Sequence, residues 1–140
     1  MKVGEVWAHD AYYLDGDTFR KKYLLALAVL PGGDVVYRLL TSRQNSRPTD
    51  PACFHGLPYP AYYLGVLGRG LDKDSWLDLR ECEDLDSYEF SKLYREGVLW
   101  HVGLLTKEQL CEALACVANA DDTTGRQRRA LLDSRTAIGC

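Results

Sequence analysis

The amino-acid sequence predicts an α+β fold, mainly β, in which short strands form a small barrel and helices pack outside it. Three observations support this prediction. Five or six short stretches are apolar, β-branched or aromatic and are separated by turn residues, as is typical of strands. Two later segments carry helix N-cap residues followed by apolar side chains at helical spacing. At 140 residues the chain has the size of one domain, and many short strands in so small a domain favour a closed or half-closed barrel.

The first part of the chain holds three predicted strands. Residues 4–10 alternate in polarity, 21–30 form a nearly continuous apolar run, and 35–41 are β-branched and aromatic. The Pro-Gly-Gly-Asp segment at 31–34 is a turn that joins the second and third strands. Asp15-Gly16 is a hairpin-turn dipeptide. We therefore expect residues 10–20 to form a loop or the tip of a hairpin.

Residues 42–60 hold four of the five prolines and show no periodicity. A loop of this length inside a compact domain is usually functional or disordered. Three more strands are predicted beyond it, over 61–67, 75–79 and 98–104.

Helices are predicted where a capping residue precedes helical spacing. Asp86 begins a helix that Gly97 ends, and Thr106 begins a second helix that runs to about Asn119. Residues 121–124 can cap a short third helix through Leu132, with a loose tail after it. We therefore expect a barrel domain over 1–120 and a helical extension with a tail over 121–140.

Charge is distributed unevenly along the chain. The composition, 46% hydrophobic and 26% charged, excludes a disordered tail. A net charge of −3 excludes the simplest nucleic-acid binder, which is basic all over. However, residues 20–47 carry a local charge of +5, residues 72–96 carry −5, and residues 126–135 carry +3. We expect the acidic segment to repel phosphates or bind a protein partner, and the first basic segment to attract an anion.

The five cysteines, at positions 53, 82, 111, 116 and 140, include no C-x-x-C pair. An odd number without that spacing predicts reduced thiols, with neither a disulfide framework nor a zinc ribbon. Cys53 and His55 are two residues apart, but a metal site would need further ligands, such as His9 and Asp10, from a distant loop. We predict no metal and no cofactor.

Because no signal peptide or apolar span is visible, we also predict a cytoplasmic protein without a membrane partner.

The order of several short motifs resembles a known family. These motifs are Gly4-Glu5-Val6-Trp7, the basic and apolar strand Lys21–Leu27, Leu40-Thr41-Ser42, Trp76–Leu79 followed by Asp84-Leu85-Asp86, and Val102–Leu110. Their order and spacing over residues 3–118 are similar to the MazF/PemK/Kid family of toxin endoribonucleases from toxin–antitoxin systems. The proline-rich loop and the chain after Asn119 lie outside the resemblance.

This resemblance implies a fold, an activity and partners. The fold would be an SH3-like barrel with a helix before the last strand and C-terminal helices, and the protein would be a homodimer. The activity would be cleavage of single-stranded RNA without metal, with the 2′-hydroxyl of the RNA as nucleophile and a cyclic phosphate as product. The protein partner would be an antitoxin that occupies the RNA groove.

The resemblance also implies catalytic residues. The family has an arginine in an Arg-Pro step at the start of its second strand, where this chain has Lys22-Tyr23. The family threonine that ends the third strand corresponds to Thr41, which Ser42 and Arg43 follow. The catalytic candidates are Lys22, Thr41 and Arg43, and a hairpin through 31–34 would bring 22 and 41 to the same open end. Lysine is a point charge where arginine is a planar fork, and it is a poor base unless its pKa is lowered.

Further candidates for RNA binding are cations, hydroxyls, aromatic rings and imidazoles in or beside the two long loops. They are Arg20, Lys21, Ser42, Arg47, Tyr12, Tyr13, His9 and His55. Packing in the core or in a dimer is the alternative for the tyrosines. For the whole chain, one alternative is a catalytically degenerate barrel that binds nucleic acid or protein. Another is a barrel whose loop 42–60 binds a small molecule.

Overall fold

The computed structural model describes residues 1–16 and 18–140, and within it one sheet and three helices account for the regular structure. The strands are β1 (Glu5–Asp15), β2 (Thr18–Val29), β3 (Val35–Thr41), β4 (Cys53–Phe54), β5 (Ala61–Gly65), β6 (Ser75–Asp78) and β7 (Leu99–Leu104). The helices are α1 (Ser87–Arg95), α2 (Lys107–Ala118) and α3 (Gly125–Ile138). The predicted α+β class, with one helix before the last strand and helices after it, is confirmed.

All pairings in the seven-stranded sheet are antiparallel, in the order β4-β5-β6-β3-β2-β1-β7. β4 and β7 are its two edges, and within the described residues no ladder joins them. The structure therefore does not confirm a closed barrel. Irregularities interrupt the ladders of β1 and β2, for example between Ala26 and Ala28, and such bulges bend and twist a strand.

The two faces of the sheet carry different apolar clusters, because successive strand residues point to opposite sides. The larger cluster includes Leu25 and Leu27 of β2 and is covered by Leu114 of α2 and Leu131 of α3, all four fully buried. The smaller cluster on the other face gathers Trp7, Leu24, Tyr37 and Leu99. Residues of α1, among them Phe90 and Leu93, pack against it.

The β1–β2 hairpin is longer than the sequence predicted. Residues 10–15, expected in a loop or hairpin tip, continue β1 to Asp15, and Tyr13 pairs with Phe19 across the ladder. Their rings lie 5.4 Å apart, edge to face, and both side chains are more than half exposed. The aromatic pair thus stabilises the outer part of the hairpin.

The helix caps agree with the sequence at α1 and α2. The carboxylate of Asp86 accepts a hydrogen bond from Glu89 N, and the hydroxyl of Thr106 accepts one from Gln109 N. The side chain of Gln109 donates to Leu64 O rather than closing a capping box. No helix of the described chain combines the length and apolar character that a membrane crossing requires.

The third helix differs from the prediction. α3 begins at a full capping box between Thr124 and Gln127 and continues past Leu132 to Ile138, where Gly139 ends it in the left-handed conformation. The expected loose tail is wrong, because α3 continues through residues 133–138, Ile138 packs against the larger cluster and Cys140 is bonded to Cys111 of α2.

Two disulfides correct the expectation of reduced cysteines. Cys53 of β4 is bonded to Cys116 of α2, and Cys111 of α2 is bonded to Cys140. The partners are 63 and 29 residues apart, so a test of local spacing could not detect them. Among the described cysteines, Cys82 is free.

The proline-rich loop is held by specific contacts. Arg47 is buried and donates from Nη1 to Arg43 O at 2.7 Å, and Trp76 Nε1 donates to Pro48 O at 2.9 Å. Within this loop, Cys53 and Phe54 form β4, a short strand that sequence periodicity did not predict. The loop is therefore anchored to β6 and extended at the edge of the sheet.

Candidate active site

A cavity of about 410 Å³ lies beside residues 21–23 of β2, where the β2–β3 ladder begins and β3 ends. Tyr23 pairs with Leu40 in the antiparallel ladder, so the adjacent positions 22 and 41 lie at the same end of the strand pair. Lys22, Thr41 and Arg43 all line the cavity, together with Lys21 and Ser42. The structure thus brings the three predicted catalytic residues to one site, which the hairpin through 31–34 explains.

Lys22 is the half-buried cation of this cavity. Burial lowers the pKa of its amine, and the positive charges of Arg43 and Arg20 lower it further. The carboxylate of Asp78 opposes the shift, while the charge of Arg80 adds to it. Because a lower pKa makes the neutral amine more available, Lys22 is better suited to accept a proton than a solvated lysine.

Thr41 and Arg43 are held together by a local turn. The hydroxyl of Thr41 accepts a hydrogen bond from Arg43 N at 3.2 Å. This bond uses a lone pair of the oxygen and leaves the hydroxyl proton to be donated into the cavity. Arg43 is exposed and lines the same cavity, so a hydroxyl donor and a guanidinium share this cavity with the amine of Lys22.

Asp78 and Arg80, at the end of β6, form an ion pair beside this group. Arg80 Nε lies 3.0 Å from Asp78 Oδ1, and Nη2 lies 2.7 Å from Oδ2. Burial alone would raise the pKa of Asp78, but hydrogen bonds and charge from Arg80, with the charge of Arg47, bring it below its usual value. The carboxylate stays ionised and its charge is largely compensated.

Sequence reasoning missed Arg80 because it lies within the acidic segment 72–96. The available signal was strand periodicity. Trp76 pairs with Thr41 across the ladder, and positions 76, 78 and 80 repeat with the period of a strand. That spacing could have placed Asp78 and Arg80 on the same face as Thr41. Lys73, which also lines the cavity, was missed for the same reason.

Lys21 and His9 border the site on the side of β1. The ammonium of Lys21 lies 5.4 Å from the ring centre of Tyr23 and 5.3 Å from that of Trp100, close enough for cation–π attraction. His9 is the direct cross-strand partner of Lys22. Burial lowers the pKa of His9, although the charges of Glu89 and Asp10 oppose this, and the lower pKa favours the neutral ring.

Arg47 does not reach the cavity, although the sequence placed it among the RNA-binding residues. It is 3% exposed. Its guanidinium packs over the ring of Tyr59 at 4.7 Å and approaches Asp78 at 4.0 Å. Arg47 therefore anchors the loop and contributes charge from behind the site.

The two predicted tyrosines and His55 also lie elsewhere. The hydroxyl of Tyr12 is hydrogen-bonded to that of Tyr37 at 2.8 Å, which ties its ring to the smaller core cluster. Tyr13 is exposed on the hairpin beside Phe19. His55 lies beside Cys53 and Cys116, where β4 meets α2.

The arrangement at the cavity suits one kind of ligand. Cations, a hydroxyl donor and one carboxylate, Asp72, surround an open space that includes the amine of Lys22, whose pKa is lowered. The cations outnumber the carboxylate, so the site can bind a phosphate, and the amine is the group best suited to move a proton. In comparisons with known protein families, curated proteins and solved structures, no match to this chain was found.

Proposed function

We propose that the chain is a toxin-like endoribonuclease of the MazF/PemK type that cleaves single-stranded RNA by metal-independent transesterification. One observation carries the proposal. The amine of Lys22, whose pKa is lowered, lines the same cavity as Thr41 and Arg43. A base, a hydroxyl donor and a cation around one phosphate are what this reaction needs.

The residues take complementary roles in the proposed reaction. The neutral amine of Lys22 accepts the proton of the 2′-hydroxyl, and the 2′ oxygen then bonds to the neighbouring phosphorus. The bond to the 5′ oxygen breaks, and this oxygen takes a proton from water while the Thr41 hydroxyl donates a hydrogen bond to it. The hydroxide that remains takes the proton from the Lys22 ammonium, which restores the neutral amine and the water. Arg43 stabilises the charge on the other phosphate oxygens. The products are a 2′,3′-cyclic phosphate and a free 5′-hydroxyl.

Finer features of the proposal follow from the same resemblance. We propose an SH3-like partial barrel, since the bulges in β1 and β2 bend the open sheet. We also propose a homodimer, and an antitoxin segment that competes with RNA for the cavity. A cytoplasmic location belongs to the same proposal. The two disulfides argue against it, because such bonds persist mainly in oxidising compartments.

The second candidate is a degenerate module that binds RNA without cleaving it. The observation that favours it is Lys22-Tyr23 in place of the Arg-Pro step that the resemblance implies. A lysine cannot hold a phosphate with two parallel hydrogen bonds as an arginine does. Binding without cleavage would identify this alternative.

The test is cleavage of end-labelled single-stranded RNAs of varied sequence in the presence of EDTA. We expect cyclic-phosphate products, and a loss of rate of about 100-fold or more in Lys22→Ala and Thr41→Ala. Lys92→Ala is the matched control, because Lys92 is an exposed lysine on α1, outside the cavity lining. Absence of cleavage across all RNAs, or equal rates in Lys22→Ala and Lys92→Ala, would overturn the proposal.

A further inference from the structure

A second cluster of reactive side chains lies where β4 meets α2, apart from the cavity of Lys22. His55 Nε2 is 3.4 Å from Cys53 Sγ and 3.7 Å from Cys116 Sγ. It is also 3.0 Å from Cys116 O. The three possible ligand atoms lie within 4.8 Å of one another, and no other such trio of His, Cys, Asp or Glu atoms occurs in residues 1–16 and 18–140.

These separations match the edges of a zinc tetrahedron. With Zn–S near 2.3 Å and Zn–N near 2.0 Å, a tetrahedral ion places a nitrogen and a sulfur ligand roughly 3.5 Å apart. The two N···S separations at His55, 3.4 and 3.7 Å, lie on either side of that value. The imidazole therefore already stands where a third ligand would, while the two sulfurs are bonded to each other.

We propose that reduction of the Cys53–Cys116 disulfide converts this cluster into a Zn²⁺ site with two thiolates, one imidazole and one open coordination position. A phosphine reductant supplies two electrons and becomes a phosphine oxide with oxygen from water, and the two sulfurs take two protons. Zn²⁺ then displaces both thiol protons. Nε2 of His55 gives up the hydrogen bond that it donates to Cys116 O, the ring proton moves to Nδ1, and the lone pair of Nε2 then binds the ion.

The surroundings allow a cation to enter. His55 is exposed, and it lines a cavity of about 200 Å³ with Asp121 and Asp122. Their carboxylates attract a cation, while Arg80, which lines the same cavity, opposes this in part. A water molecule can fill the open position.

Binding would preserve a link that reduction breaks. The disulfide ties β4, at the edge of the sheet, to α2. A zinc ion held by the same two sulfurs restores the connection between these elements. From the sequence, Cys53 and His55 formed a possible ligand pair, and the further ligands were expected from a distant loop. The third ligand is instead Cys116 of α2, 63 residues after Cys53.

The full chain is reduced with a phosphine, and the phosphine is removed under anaerobic conditions. The reduced protein is then titrated with Co²⁺ and afterwards with Zn²⁺. We expect one Co²⁺ per chain, with the visible absorption of a tetrahedral thiolate complex, displacement by Zn²⁺, and no binding by the oxidised protein. Cys53→Ser and His55→Ala should weaken binding at least about tenfold. The double variant Cys111→Ser, Cys140→Ser should bind normally, because that pair lacks the histidine.

The result that overturns the proposal is a reduced protein that binds neither ion, or binding that His55→Ala leaves unchanged. Because the His55 side chain is exposed, this variant keeps the test valid even where Cys53→Ser fails to fold. Loss of binding in the double variant would equally contradict the assignment. Since no RNA is used, the outcome is independent of the proposed endoribonuclease activity.

Discussion

Arg80 holds Asp78 in a bidentate ion pair, with Nη2 2.7 Å from Oδ2, and both charges act on the amine of Lys22. Asp78 raises the pKa of Lys22, and Arg80 lowers it. Asp78→Asn removes the anion and leaves the cation, so it should lower the pKa of Lys22 further. If Lys22 is the base, the acidic limb of the pH–rate profile should move to lower pH.

The opposite shift provides the control for this prediction. Arg43 lowers the pKa of Lys22, so Arg43→Gln should move the same limb to higher pH, besides reducing the rate. The measurement is cleavage of one RNA across a pH series for the three proteins. Shifts of the same sign in both variants would exclude Lys22 as the titrating group.

Lys22 should lower the stability of the folded protein, because its amine is held where the charged form is disfavoured. Its pKa is lower in the folded protein than in the unfolded chain, so the unfolded chain binds the proton more tightly. The loss in the free energy of unfolding is complete while the pH lies below the pKa of Lys22 in the folded protein. It diminishes as the pH rises from that pKa to the pKa of Lys22 in the unfolded chain. Lys22→Met should therefore keep or raise the Tm at neutral pH, with the difference shrinking at alkaline pH. A Tm lower than that of Lys92→Met would contradict this.

Gln127 is the side-chain partner of a buried arginine. Arg38 is fully buried, and its Nη2 donates to Gln127 Oε1 at 3.2 Å. Gln127 in turn donates to Asp84 Oδ1 at 2.9 Å. Gln127→Ala should lower the free energy of unfolding by about 2–3 kcal/mol, because it leaves a buried cation without this acceptor. Chemical denaturation measures this free energy of unfolding. The control is Arg129→Ala, on the exposed side of α3, which should change it by less than about 0.5 kcal/mol.

The disulfide at the C-terminus should stabilise the oxidised protein. It closes a loop with a sequence separation of 29, which corresponds to about 3.6 kcal/mol of lost chain entropy in the unfolded state. Cys140→Ser should lose this amount under oxidising conditions and nothing after reduction. Cys82→Ser, which removes the free thiol, is the control. Equal stability of the two variants in oxidising buffer would contradict the pairing.

Local features were predictable from the sequence, and contacts between distant segments were not. The caps at Asp86 and Thr106 depend on residues three positions apart, and both form as expected. The joint position of Lys22 and Thr41 followed from the short turn between their strands. The Cys53–Cys116 pair depends on how α2 packs against the edge of the sheet, which no local pattern encodes.

Local charge was an incomplete guide to the site. Arg38 and Arg47 belong to the basic segment but are buried, so neither adds a cation to the cavity lining. Arg80 belongs to the acidic segment yet acts on Lys22. Net charge along a segment counts residues irrespective of the face they occupy, and here the alternation of strand residues decides which charges meet.

The two disulfides also determine how the chain responds to force. Both have a partner on α2, and residues 53–140 lie within the cross-linked region, whereas the β2–β3 pair with Lys22 and Thr41 lies before it. An oxidised molecule pulled from its two ends can extend only its first 53 residues and the short stretch of α2 between Cys111 and Cys116. A reduced molecule can extend along its whole length. β2 and β3, which carry Lys22 and Thr41, therefore unravel under load in either state, whereas the covalent links protect β6 and the segment 70–73 on the other side of the cavity.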